Sequence, residues 1–61
     1  MRLYKLYDGH SGITFAIVVA HNGLEAETLG QSISNNPTDV RVEWFGDALD
    51  HYTQPTIVMA R

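Results

Sequence analysis

The sequence predicts an α+β fold with the order ββαββ: one four-stranded, mainly antiparallel sheet with a single helix on one face. The whole of residues 1–61 forms one small domain. Three observations carry this. An uncharged run, Ile13-Thr14-Phe15-Ala16-Ile17-Val18-Val19-Ala20, has the β-branched and aromatic composition of a strand. Ala26, Leu29, Gly30 and Ile33 then fall at the i, i+3, i+4, i+7 spacing of a helix. Finally, Val40-Arg41-Val42-Glu43-Trp44-Phe45 alternates as a half-exposed strand does.

The elements follow in order. Residues 2–7 (Arg-Leu-Tyr-Lys-Leu-Tyr) read as a strand, and Asp8-Gly9-His10-Ser11-Gly12 supplies two glycines for a tight loop. This pairs the first strand antiparallel with Ile13–Ala20. Asn22 followed by Glu25 resembles a capping box, with Asn in place of Ser or Thr. Glu25 and Glu27 suit the positive end of a helix dipole, so the helix is expected at about 23–34. Gly30 in its interior costs about 1 kcal/mol relative to Ala, which close packing of the helix on the sheet would explain. Asn35 and Asn36 suit a left-handed cap, and Pro37 stops the helix. In the third strand Val40, Val42 and Trp44 share one face, with Arg41, Glu43 and Phe45 on the other. Residues 46–55 form a loop, with a helical turn over Ala48–His51 capped by Asp47, before a last strand at Thr56–Ala60.

The second strand is the anomaly. Its odd positions (Ile13, Phe15, Ile17, Val19) are large and apolar, and its even positions are small but scarcely polar. A strand wetted on one face alternates cleanly, and this one does not. If the third strand pairs with the first, Ile13–Ala20 sits at an edge; if it pairs with the second, Ile13–Ala20 is central and its second face needs a lid. Both arrangements favour a homodimer, through that edge or through the helix-free face. The expected interface residues are Thr14, Ala16, Val18 and Ala20, with the aromatic side chains Tyr4, Trp44, Phe45 and Tyr52.

Size points the same way. A chain of 61 residues buries only roughly 60% of the surface its unfolded form exposes. Small domains usually rely on disulfides, a metal or association, and this chain has no cysteine. The net charge is −3, and no Lys or Arg occurs between Lys5 and Arg41. Four scattered cations argue against direct nucleic-acid binding. The apolar run falls well short of the roughly 20 residues of a spanning helix, so no membrane association is expected. Met1-Arg2-Leu3-Tyr4-Lys5 passes straight into a strand pattern without a signal-peptide pattern, and the expected compartment is the cytoplasm.

No motif announces a chemistry. Gly9-His10-Ser11-Gly12 resembles the start of a nucleophile elbow, but the fifth position is Ile13 and the segment enters a strand, so Ser11 reads as a turn residue. His10, His21 and His51 with Asp8, Asp47 and Asp50 lack the spacing of a metal site. Glu25 and Glu27, two apart on a helix, do not face each other as an acid–base pair would. No catalytic residue, cofactor or metal is assigned.

Leu3-Tyr4-Lys5-Leu6-Tyr7, the apolar strand, and Ala20-His21-Asn22-Gly23-Leu24-Glu25-Ala26-Glu27 together resemble the opening half of many short uncharacterised proteins of bacteriophages and bacteria. The resemblance implies a phage or mobile-element origin and a ββα start; it carries no catalytic residues. The expected function is a small acidic, non-enzymatic module that dimerises and binds a host or viral protein. The alternatives are an acidic mimic of nucleic acid that inhibits a nuclease or polymerase, and a ligand-binding or enzymatic domain with its site between subunits.

Overall fold

A computed structural model describes residues 1–48 and 52–60. The elements are β1 (Arg2–Asp8), β2 (Thr14–Ala20), α1 (Gly23–Ile33), a 3-10 turn at Pro37–Asp39, β3 (Val40–Asp47) and β4 (Thr56–Ala60). The ββαββ order is as the sequence predicts, apart from the 3-10 turn. The helical turn expected over Ala48–His51 falls on residues outside those described.

The four strands form one wholly antiparallel sheet in the order β3-β1-β2-β4. The third strand thus pairs with the first. Yet β2 is not at an edge, as that pairing was expected to leave it, because β4 pairs along its other side. The most apolar strand therefore has backbone partners on both sides, and the edge route to dimerisation through Ile13–Ala20 is closed.

The helix covers the face of β2 that carries Ala16, Val18 and Ala20, residues expected at an interface. Antiparallel partners share a face, and Tyr4 pairs with Val18, Leu6 with Ala16, and Leu6 with Val42. Tyr4, Leu6, Ala16, Val18 and Ala20 form the core with Ala26 of the helix, and Leu29, Val42 and Ile57 pack against it. Ala16, Val18 and Ala20 have no exposed surface, so they cannot serve as a contact surface for a second molecule. The physical reason is close approach. A Cβ added at Gly30 would come within 2.8 Å of Leu6 Cδ1 and 3.0 Å of Val40 Cγ1. Gly30 thus lets the helix backbone approach Leu6 and Val40, and the small Ala26 shares the core with Ala16 and Ala20. Tyr4, also expected at an interface, is buried in this layer.

Three irregularities adjust the sheet. The register shifts between Leu6 and Tyr7 of β1, leaving Phe15 of β2 unpaired and Tyr7 opposite Thr14. Phe15 packs against the helix-side core, while Thr14 moves to the face of Tyr7, away from Ala16. A second shift leaves Phe45 as the extra residue between Trp44, paired with Tyr4, and Gly46, paired with Leu3. Simple alternation of Trp44 and Phe45 therefore does not hold. A third shift leaves Val58 extra in β4. Such bulges bend and twist the strand that carries them.

Local hydrogen bonds fix the joins. The Asp8 carboxylate accepts from His10 N (2.7 Å) and Ser11 N (3.4 Å), and Gly12 N donates to Asp8 O at 2.7 Å. Gly12 adopts φ of 77°, a conformation that only glycine takes without strain. At the helix start Asn22 Oδ1 accepts from Glu25 N at 2.9 Å. Glu25 Oε1 in turn accepts from His21 N at 2.8 Å, one residue before the cap. The expected reciprocal box is thus present, shifted by one position. The helix ends at Ile33 with Ser34 extended, its N–H donating to Gly30 O at 2.9 Å. No non-glycine residue among those described has positive φ, so the left-handed Asn cap is not used.

Candidate interaction surface

The helix-free face combines Leu3, Lys5 and Tyr7 of β1, Thr14, Ile17 and Val19 of β2, Arg41 and Glu43 of β3, and Thr56 and Met59 of β4. Val19 is fully buried. Lys5 and Glu43, paired across β1 and β3, form an ion pair at 3.8 Å. This face is therefore amphipathic, with Val19 covered within the single chain. An exposed pair of this kind contributes at most about 1 kcal/mol, but it keeps the surface wetted.

What a single chain leaves uncovered lies instead at the periphery. Trp44 is 62% exposed and Phe45 55%, adjacent on the bulged end of β3. Val58 and Met59, on β4, are 42% and 50% exposed. Leu24 at the first turn of the helix is 74% exposed, and Ile13 and Ile33 project near the hairpin end. Of the expected interface residues, Trp44 and Phe45 are thus at the surface, Thr14 and Tyr52 are half-buried, and Tyr4, Ala16, Val18 and Ala20 are interior. Leu24, Val58 and Met59 were missed. The signal for Leu24 was available, since it lies off the Ala26–Leu29–Gly30–Ile33 stripe. Val58 owes its position to a bulge that alternation does not reveal.

The polar groups are engaged in structure. Ser11 Oγ accepts from Ile13 N at 3.2 Å and the Asp8 carboxylate holds the hairpin loop, so the Gly9–Gly12 segment is a hydrogen-bonded turn. His21 Nδ1 lies 2.9 Å from Glu25 Oε1. The backbone N–H of His21 is the main influence that draws the Glu25 carboxyl below its ordinary value of 4.5, with the imidazole adding to it; desolvation opposes both. Arg41 Nε pairs with Asp39 at 3.5 Å. No three His, Asp or Glu side chains cluster as metal ligands among the described residues; Asp50 and His51 lie outside that set. A groove of about 250 Å³ at the hairpin end, floored by Ile13, Phe15 and Ile33, falls below the roughly 300–1,000 Å³ of small-molecule sites, and a more open depression of about 380 Å³ lies beside Leu24 and Thr28 on the helix. No helix among the described residues is long and apolar enough to cross a membrane.

The arrangement offers apolar and aromatic contact area on strands, and among the described residues no three His, Asp or Glu side chains converge. No protein-family model, curated protein or solved structure matches the chain.

Proposed function

We propose that this chain is a non-catalytic protein-binding module that forms homodimers, encoded by a phage or mobile element and acting on a host protein in the host cytoplasm. The observation that carries the reading is the pair Trp44 and Phe45. They are exposed side by side on an edge strand, in a molecule that buries Ala16 and Val18–Ala20 of its apolar segment. Large aromatic side chains dominate binding energetics because they bury much area at little entropic cost. A 61-residue chain that leaves them in water has them available for contact. The assignment to a phage or mobile element rests on the likeness of the first half of the chain to short phage and bacterial proteins. A non-enzymatic role is favoured by the employment of Asp8, Ser11, His21 and Glu25 in loop and cap bonds.

The test is affinity capture from a bacterial host lysate with the parent chain and with Trp44→Ala/Phe45→Ala, both verified as folded by circular dichroism. The reading expects a host protein retained by the parent and lost, by at least about tenfold in affinity, with the double variant. Equal retention by both chains refutes it.

A further inference from the structure

The sheet has two edges, and they differ in charge. Each outer strand presents a row of backbone N–H and C=O groups without a strand beside it, the arrangement that recruits another strand unless it is guarded. The β3 edge is guarded by Arg41, Glu43 and Asp47 and by the Lys5–Glu43 and Asp39–Arg41 ion pairs. The β4 edge is Thr56-Ile57-Val58-Met59-Ala60, without a charge, and the preceding Tyr52-Thr53-Gln54-Pro55 is uncharged as well. Both edges carry a bulge, so irregularity does not separate them. The helix rests on β1, β2 and β3, and on β4 Val58 and Met59 (the latter on the helix-free face) stay in water.

We infer that β4 is the strand through which a second copy of this chain binds, by antiparallel pairing of β4 with β4 about a two-fold axis. This deepens the homodimer reading above and rests on it. Two chains of net charge −3 repel wherever their carboxylates meet. The β4 edge is where they can approach without opposing like charges. The strand carries no charge from Thr56 to Ala60, so a β4–β4 seam sets only apolar and neutral side chains against each other in any register. The product is a continuous eight-stranded sheet with both helices on one face, and Val58 and Met59 covered at its centre. Five residues make a short seam, so the association is weak and concentration-dependent rather than obligate.

The test is sedimentation velocity on the full chain from about 10 μM to about 1 mM, with each variant's fold verified by circular dichroism. The inference expects reversible dimerisation of the parent, weakened at least about tenfold by Val58→Lys and by Val58→Glu, each of which brings like charges of the two copies onto the seam. An equimolar mixture of the two variants recovers dimers, and Trp44→Lys dimerises as the parent does. A parent that dimerises equally with Val58→Lys, or variants that fail to recover on mixing, overturn the β4 seam while leaving the homodimer reading standing. A parent that stays monomeric throughout overturns both.

Discussion

Replacing Gly30 by Ala sets two effects of known size against each other. In a solvated helix the change stabilises by about 1 kcal/mol, because Ala restricts the unfolded chain and favours the helix. Here the added methyl would sit 2.8 Å from Leu6 Cδ1 and 3.0 Å from Val40 Cγ1. Unstrained carbon contacts begin near about 3.5 Å, so the helix must lift or the two side chains must turn. Leu6 has no exposed surface and Val40 is 7% exposed, so neither has open space to move into. The β-branched Val40 is also stiff about χ1. Overpacking of this kind costs about 1–3 kcal/mol, and it outweighs the propensity gain. The expected net loss is about 1 kcal/mol, a fall in Tm of roughly 4–8 °C for a domain of this size. The assay is thermal and urea unfolding followed by circular dichroism at low micromolar concentration, where association does not raise the apparent stability. Gln31→Ala, on the exposed side of the same helix, serves as the control and changes stability by less than about 0.5 kcal/mol. A Gly30→Ala variant stabilised by the full helical gain would refute the close helix–sheet contact on which the fold description depends.

Three further expectations follow from named contacts. Asn22→Ala removes the side-chain acceptor 2.9 Å from Glu25 N; denaturant unfolding should show a loss of about 1 kcal/mol. The Glu25 carboxyl is held below its ordinary value of 4.5 by the N–H and imidazole of His21. A depressed folded-state value means its stabilisation is complete above 4.5 and is lost as the pH falls through the lower folded value. A Tm-against-pH series should therefore fall less steeply below 4.5 for Glu25→Gln than for the parent, and parallel curves would remove the assignment. Trp44→Ala, at a side chain 62% exposed, should change stability by no more than about 0.5 kcal/mol. A loss of several kcal/mol in urea unfolding would show that Trp44 is structural.

Much of the local structure was legible because its causes are local. The two-glycine loop after Asp8, the Asn22–Glu25 cap, the 3.6-residue stripe through Gly30 and the alternation from Val40 each involve residues close in sequence. Pairing of the third strand with the first was among the arrangements weighed, but β4 beside β2 was not. That choice depends on which strand meets which, and a segment's own pattern does not encode it. Ala16, Val18 and Ala20, expected at an interface, instead face the helix. The small residues Ala26, Ala16 and Ala20 were visible in the sequence, although their meeting in one core was not. Thr14 was placed with Ala16, Val18 and Ala20 by strict alternation, which the bulge at Phe15 breaks. That at least one of Trp44 and Phe45 lies off the core was legible from alternation; that both are exposed was not, because the bulge at Phe45 breaks the alternation.

Backbone amide exchange along β2 and β4, measured as the protein is diluted, bears most directly on whether one chain shields its own apolar strand and reserves its neutral edge for a second copy. The account predicts that Ala16–Ala20 amides exchange slowly at every concentration, since β1 and β4 flank that strand in a single chain. Outward-facing β4 amides should gain protection only as the concentration rises. Loss of β2 protection on dilution, or β4 exchange indifferent to concentration, would contradict it.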